Sequence, residues 1–282
     1  MDRKNYLSSI RLSVTALLFV APPAAWGQPE PQLDKREIWD SNFLSKRPAS
    51  NSKPLPKSDN DGLVGLTLWK LRPSKASDDP GVRTLIHEPS ETRQWTPDRI
   101  SADSVLHDGD KIRFSIESAR SGYLYVIDCD EYANGAKDYY LIFPELRIRS
   151  GDNHITPGRV IELPSPNDAP PFFKVAMSRP DEVGERLSIL ISPKPIEQLP
   201  IENDHVPLSV EQVNQWIERW KATEYRLEAQ NQVGKPYTLA EKSAGSGEKL
   251  MTQADPVPQT IYLVKTKPGD PLLVHVPLSI SK

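Results

Sequence analysis

Four basic side chains are concentrated in one turn-rich segment of the chain. They are Arg147, Arg149, His154 and Arg159. A guanidinium group can bind a carboxylate or a phosphate through two parallel hydrogen bonds, so this segment predicts an anion-binding surface. A solvated charged edge, which discourages the sheets of two molecules from pairing, is the interpretation that the sequence favours.

Carboxylates form a second group, at the ends of the predicted strands. They are Asp108, Asp110, Asp128, Asp130 and Glu131. If those strand ends converge, a calcium site is one interpretation, because Ca²⁺ requires several oxygen ligands. Solvated turn residues are the other interpretation, and no segment matches the calcium-binding helix-loop-helix pattern. The sequence therefore predicts neither a metal nor a cofactor.

Cys129 is the single cysteine of the chain. One cysteine excludes an internal disulfide framework and a zinc ribbon. Asp128 and Asp130 flank it, and neighbouring negative charge raises the pKa of a thiol. We therefore expect a small, partly buried residue rather than a nucleophile.

The sequence lacks the common catalytic motifs. It contains no Gly-x-Ser-x-Gly, and His87-Glu88 is followed by Pro89, which does not fit His-Glu-x-x-His. No phosphate loop or dinucleotide fingerprint is present. The 35 Lys and Arg against 38 Asp and Glu give no positive field for nucleic acid. A non-enzymatic protein is favoured.

The N-terminus is typical of a secretory signal peptide over residues 1–27. Arg3, Lys4 and Arg11 precede a short apolar run over 14–21, and small residues precede a cut near Gly27. An uncleaved anchor is the alternative, but the apolar run is too short to span a bilayer. We expect a periplasmic or secreted protein without a stable membrane span after cleavage.

The elements that must position these residues are mostly strands. Residues 28–61 are rich in proline and predict a flexible leader, on which Trp39 and Phe43 could dock. Short apolar segments separated by turn signals then predict a β-sandwich domain over 62–200. Within it, Lys111–Glu117 alternates strictly and predicts a half-exposed antiparallel strand.

The remaining residues, 201–282, predict a helix and a hairpin packed on the same domain, although a separate subdomain is the alternative. Ser209 and Gln212 indicate a helix start, and an apolar stripe extends the helix over about 210–231. Residues 242–247 predict a flexible loop. Two strands joined through residues 268–271 predict a terminal hairpin. The expected fold is all-β with one accessory helix: an antiparallel β-sandwich, immunoglobulin-like in general architecture.

Several segments occur in an order that resembles a known family. They are Gly109-Asp110, Gly122–Ile127, Leu141–Pro144, Gly151–Gly158 and Ile161–Pro164. The chain resembles, over about 63–200, a bacterial family catalogued only as a domain of unknown function. Such domains occur behind signal peptides, or fused to protein kinases or caspase-like peptidases. The resemblance implies a β-rich module without assigned catalytic residues.

The sequence as a whole favours an exported, non-catalytic module that binds a protein, a glycan or an envelope component. The first alternative is a hydrolase with an unrecognised site around Asp152, His154 and the arginines. The second is a structural envelope protein with the proline-rich leader as a spacer. An enzyme requires His154 and an acidic group to meet in a concave pocket.

Overall fold

The computed structural model describes residues 35–49, 62–88, 91–197, 199–267 and 269–281. These residues form fifteen strands and three α-helices. The predicted signal peptide and parts of the predicted leader lie outside the described residues. Within the described ranges, no helix is both long and apolar enough to cross a membrane.

The strands carry the architecture. In chain order they are β1 (Leu63–Pro73), β2 (Thr84–His87), β3 (Thr92–Ile100), β4 (Val105–His107), β5 (Lys111–Ser118), β6 (Gly122–Tyr132), β7 (Lys137–Phe143), β8 (His154–Ile155), β9 (Ile161–Leu163), β10 (Phe173–Lys174), β11 (Glu182–Ser192), β12 (Val206–Leu208), β13 (Thr223–Glu228), β14 (Thr260–Lys265) and β15 (Leu272–Ser281).

Two sheets result from their pairing. The first has the order β10-β5-β1-β14-β13, with β3 also on β1, β2 on β3 and β9 on β5. The second has the order β12-β7-β6-β11-β15-β4, with β8 on β6. The predicted all-β sandwich is confirmed. Its pairing is antiparallel except between β15 and β4, which are parallel.

The main apolar core lies between the two sheets and follows the period-2 alternation of the strands. Phe114 and Ile116 of β5 and Leu124 and Val126 of β6 are buried in it. β6 and β7 form a hairpin, and Gly135 in its turn has a φ of 83°, a conformation that glycine adopts without strain.

The outer face of β5 is buried, which corrects the half-exposed strand expected from its alternation. Arg113 and Glu117 on this face are 0% and 6% exposed. Residues 235–257 lie over it and include helix α3 (Leu239–Gly245), so the predicted flexible loop over 242–247 is also wrong in part. The alternation of charged and apolar residues within β5 cannot show that a segment distant in sequence packs over the charged face of the strand.

A helix, α1 (Lys35–Lys46), occupies part of the predicted flexible leader. The prolines from which flexibility was inferred lie on either side of this helix, at Pro31 and Pro48 and beyond. Phe43 is 1% exposed and packs with Leu63 and Ile261, as the predicted docking of Phe43 requires. This part of the leader belongs to the folded body.

Helix α2 (Val210–Arg219) is shorter than the predicted helix over 210–231. Its start is as predicted, because the Ser209 hydroxyl accepts a hydrogen bond from the Gln212 backbone N–H at 3.1 Å. Trp220 caps its C-terminus, and the chain then enters β13, which pairs with β14. Leu227, an apolar residue within the range of the predicted helix, is part of β13 instead.

The predicted terminal hairpin is wrong. Strands β14 and β15 are adjacent in the chain but lie in different sheets, where β14 pairs with β1 and β13, and β15 with β11 and β4. The connection between them therefore crosses from one sheet to the other. As a result, residues 201–282 contribute strands to both sheets.

Candidate functional site

A cavity of about 350 Å³ lies between the two sheets, beside the main core. Phe114, Leu187 and Leu278 belong to both the core and the lining of the cavity. The rest of the lining is mixed, with apolar side chains on the side of the first sheet and carboxylates on the side of the second. Those further residues are Ile112, Asp128, Asp130, Tyr140, Ile142, Phe173, Lys174, Val175, Ala176, Ser178, Glu185 and His205.

The carboxylates are a continuation of core-facing strand positions. On β6, Leu124 and Val126 face the core, and the alternation places Asp128 and Asp130 on the same face. On β11, Leu187 lies opposite Asp128 and Glu185 lies opposite Asp130. The two strands thus change from apolar to acidic residues where the core gives way to the cavity.

A β-bulge adds Glu182 to this group. Strict alternation would place Glu182 and Glu185 on opposite faces of β11. The register between β11 and β6 shifts between Glu182 and Gly184, so that Glu182 pairs with Tyr132 on the acidic face. A bulge of this kind redirects a side chain without ending the strand pairing. We name Asp128, Asp130, Glu182 and Glu185 the acidic cluster.

The acidic cluster is crowded. One carboxylate oxygen from each of Asp130, Glu182 and Glu185 lies within 4.8 Å of the other two. Burial, followed by the charge of Asp130, raises the pKa of Asp128 to about 7. Burial, followed by the charge of Asp128, raises the pKa of Glu185 to about 8. Both shifts express the cost of holding negative charges together away from water.

Hydrogen bonds satisfy the acidic cluster only in part. Glu182 Oε2 accepts from the backbone N–H of Ser178 at 2.6 Å and from its hydroxyl at 2.9 Å. The Tyr132 hydroxyl lies 3.2 Å from Asp130 Oδ2 and 2.9 Å from Asp138 Oδ2. Glu182 is 5% exposed, and its Oε1 is buried without a hydrogen-bond partner.

The segment that carries the acidic cluster is similar to a known sequence family. Residues 105–195 match the family model DUF4384, a domain of unknown function. This confirms the resemblance to a domain-of-unknown-function family, within narrower limits than 63–200. No curated protein and no solved structure matches the chain.

All four members of the acidic cluster lie within the DUF4384 match. So do the four residues for which the sequence predicts anion binding: Arg147, Arg149, His154 and Arg159. The match covers β4 to β11 and thus draws strands from both sheets. The first sheet is completed by β1 and β14, which lie outside the match on either side.

The four predicted binding residues of the DUF4384 segment do not form one group. Arg147 is exposed and pairs with Asp204 at 2.7 Å and with Glu145 at 3.4 Å. Arg159 pairs with Asp152. Arg149 is half-buried, and its guanidinium donates to the Val160 carbonyl at 3.4 Å.

Arg149 and Arg159 are close enough to affect each other electrostatically, whereas Arg147 turns to a different loop. Burial, followed by the charge of Arg159, lowers the pKa of Arg149. The His154 ring packs edge-on against Tyr123, with ring centres 5.4 Å apart. The Asp152 carboxylate accepts from Arg159 and from the His154 backbone N–H.

The five carboxylates considered for calcium also separate. Asp110 pairs with Lys70 at 2.6 Å, and Asp108 is exposed. Glu131 points to the other face of β6, where it pairs with Arg186 and Lys137. Asp128 and Asp130 alone of the five join the acidic cluster.

Glu182 and Glu185 were missed by the sequence analysis. Glu185 joins the acidic cluster through the pairing of β11 with β6, a long-range property that the sequence pattern does not show. Cys129 lies on the opposite face of β6 from the acidic cluster and is fully buried. Burial raises the pKa of its thiol, in agreement with the expected structural role.

Proposed function

We propose that the protein is an exported, non-catalytic binding module whose ligand enters the cavity between the sheets. The observation that carries this proposal is the cavity itself: an apolar lining with polar groups along one wall is typical of ligand sites. Its volume of about 350 Å³ is at the small end for such sites. Of the ligand classes considered, a protein is therefore favoured, because one or two of its side chains would fill the cavity.

The contacts of the polar residues favour binding over hydrolysis. Ser178 donates its hydroxyl to Glu182, while His205 Nδ1 lies 2.9 Å from Asp204. Among the described cavity residues, these contacts form no serine–histidine pair.

Occlusion of the cavity tests the proposal. Ala176 lines the cavity and is exposed, so Ala176→Trp would fill the cavity without disturbing the core. Ala76 is also exposed and does not line the cavity, which makes Ala76→Trp the matched control. We expect a protein from envelope extracts to bind the wild type and the control, and to be lost from Ala176→Trp.

The proposal would be contradicted if the wild type, Ala176→Trp and Ala76→Trp all bound the same set of proteins from the extracts. Loss of a glycan instead of a protein would replace the favoured ligand class. Turnover of an ester, glycoside or phosphoester by the purified chain, abolished by one polar substitution, would establish the hydrolase alternative. Export is tested separately by the mass of the mature protein, which we expect to begin near Gln28.

A further inference from the structure

Among the residues that the structure describes, the acidic cluster has no ion-pair partner. None of the described Lys, Arg or His side chains forms an ion pair with Asp128, Asp130, Glu182 or Glu185. Asp130 and Glu185 lie directly opposite each other on paired strands, and like charges in such positions are destabilising. The described chain therefore holds several carboxylates in a partly buried place without an ion-pair partner, although Lys174 also lines the adjoining cavity.

Glu182 gives an independent indication of a ligand. Its side chain is 5% exposed, and Oε1 has neither a hydrogen-bond partner nor contact with water. Ser178 fixes the other oxygen through two hydrogen bonds, so the carboxylate has a defined orientation. A buried carboxylate oxygen without a partner costs free energy, and a cation in the acidic cluster would satisfy it.

We propose that Asp130, Glu182 and Glu185 bind one Ca²⁺ ion beside the cavity, with Asp128 as a further acidic neighbour. The donors are all carboxylate oxygens, which suit a hard cation rather than zinc or copper. Ca²⁺ accepts six to eight oxygen ligands in variable geometry, and the adjoining cavity has room for the water ligands that complete its shell. Mg²⁺ requires near-ideal octahedral geometry and gives up its water ligands reluctantly, so Ca²⁺ is the ion of choice for a site of several carboxylates.

The ion deepens the proposed function, since it would form part of the wall of the proposed ligand cavity. Bound Ca²⁺ would reduce the negative charge of that wall, because its two positive charges offset part of the charge of the carboxylates. The role of the ion in ligand uptake therefore rests on the proposed function. The binding of Ca²⁺ itself does not, and it is tested with the metal alone.

Isothermal titration of the chelator-treated full-length protein with Ca²⁺ tests the site. We expect one Ca²⁺ per chain, with a dissociation constant on the order of 0.1–1 mM, as in extracellular calcium modules. Glu182→Gln and Glu185→Gln keep the side-chain volume and should each weaken binding at least tenfold. Glu131→Gln is the matched control, because Glu131 neighbours Asp130 in sequence but faces the other side of β6. It should leave the affinity unchanged.

Thermal unfolding in chelator shows whether each variant is folded, so that lost binding is not mistaken for lost structure. No heat of binding by the folded wild type up to 10 mM Ca²⁺ would overturn the site. So would equal loss of affinity in Glu131→Gln and Glu185→Gln, or binding of Mg²⁺ without Ca²⁺. A chain that binds Ca²⁺ but retains the same proteins with and without Ala176→Trp would support the ion and refute the proposed function.

Discussion

Asp130 and Glu185 lie directly opposite each other on β6 and β11, and a carboxylate oxygen of each lies within 4.8 Å of the other. On the other side of Asp130, Asp138 of β7 is its direct partner. Three neighbouring strands thus present acidic side chains in one row across the core-facing side of the sheet. Apolar residues occupy the equivalent row further along the same strands, so the acidic row forgoes hydrophobic burial.

Removing one charge from this row should stabilise the protein in the absence of a metal. With chelator present at pH 8, we expect Glu185→Gln to raise the free energy of unfolding by roughly 0.5–1 kcal/mol, because it ends the repulsion from Asp130. Urea denaturation measures the change. Glu131→Gln should have the opposite sign, a loss of up to about 1 kcal/mol, because Glu131 is paired with Arg186 and Lys137.

The position of Glu182 shows why the acidic cluster could be predicted only in part. Alternation along 123–130 correctly separates Asp128 from Cys129, because the apolar positions fix the face of each residue. The same rule applied to Glu185 places Glu182 on the wrong face, because a bulge is not encoded in the period. The pairing of β11 with β6 is also needed, and it joins residues more than fifty positions apart.

The end of the chain illustrates the same limit at the level of the fold. Both final strands could be predicted from their composition, but a short connection between two strands is compatible with a hairpin or with a crossing between sheets. Which one forms depends on the strands that have an unpaired edge in each sheet. Here β14 pairs with β1, and β15 pairs with β11. Local propensity does not contain that information.

His275 should make the protein sensitive to acid. Burial, followed by the charges of Arg186 and Lys137, lowers its pKa to about 4 from an ordinary value of 6.5. The unfolded chain therefore takes up a proton at a higher pH than the folded chain. The contribution of His275 is fully present above pH 6.5 and is lost as the pH falls to about 4, a change on the order of 2–3 kcal/mol.

Chemical denaturation from pH 7 to pH 4 checks this expectation by comparing the wild type with His275→Asn. The variant loses the Ser188 hydroxyl contact, 3.0 Å from Nδ1, and should be less stable at pH 7. Its stability should nevertheless fall less steeply with acid. Parallel curves for the two chains would show that other groups determine the acid response, such as Asp103, whose pKa is lowered by its hydrogen bond with Arg226.

Gly245 should not tolerate a side chain. A Cβ at this position would lie well within van der Waals contact of Glu162 Oε2 and 2.8 Å from the Tyr237 hydroxyl. Glu162 and its partner Arg113 are both fully buried, so the backbone of α3 must move instead. We expect Gly245→Ala to cost about 1–3 kcal/mol in urea denaturation. Gly184→Ala is the control, because its nearest neighbour is the Leu278 carbonyl at 3.7 Å.

The contacts of Arg47 should stabilise the packing of the segment that follows α1 against the sandwich. Its guanidinium donates to Glu117 at 2.6 and 3.0 Å and to the carbonyls of Asp255 and Pro256 at 3.0 Å. Arg47→Met leaves the Glu117 carboxylate buried without its cation, so we expect a loss of about 3–5 kcal/mol in urea denaturation. Adding Glu117→Gln should recover part of that loss, because the uncompensated charge is removed. If Arg47→Met alone had no effect, residues 35–49 would not be part of the cooperative fold.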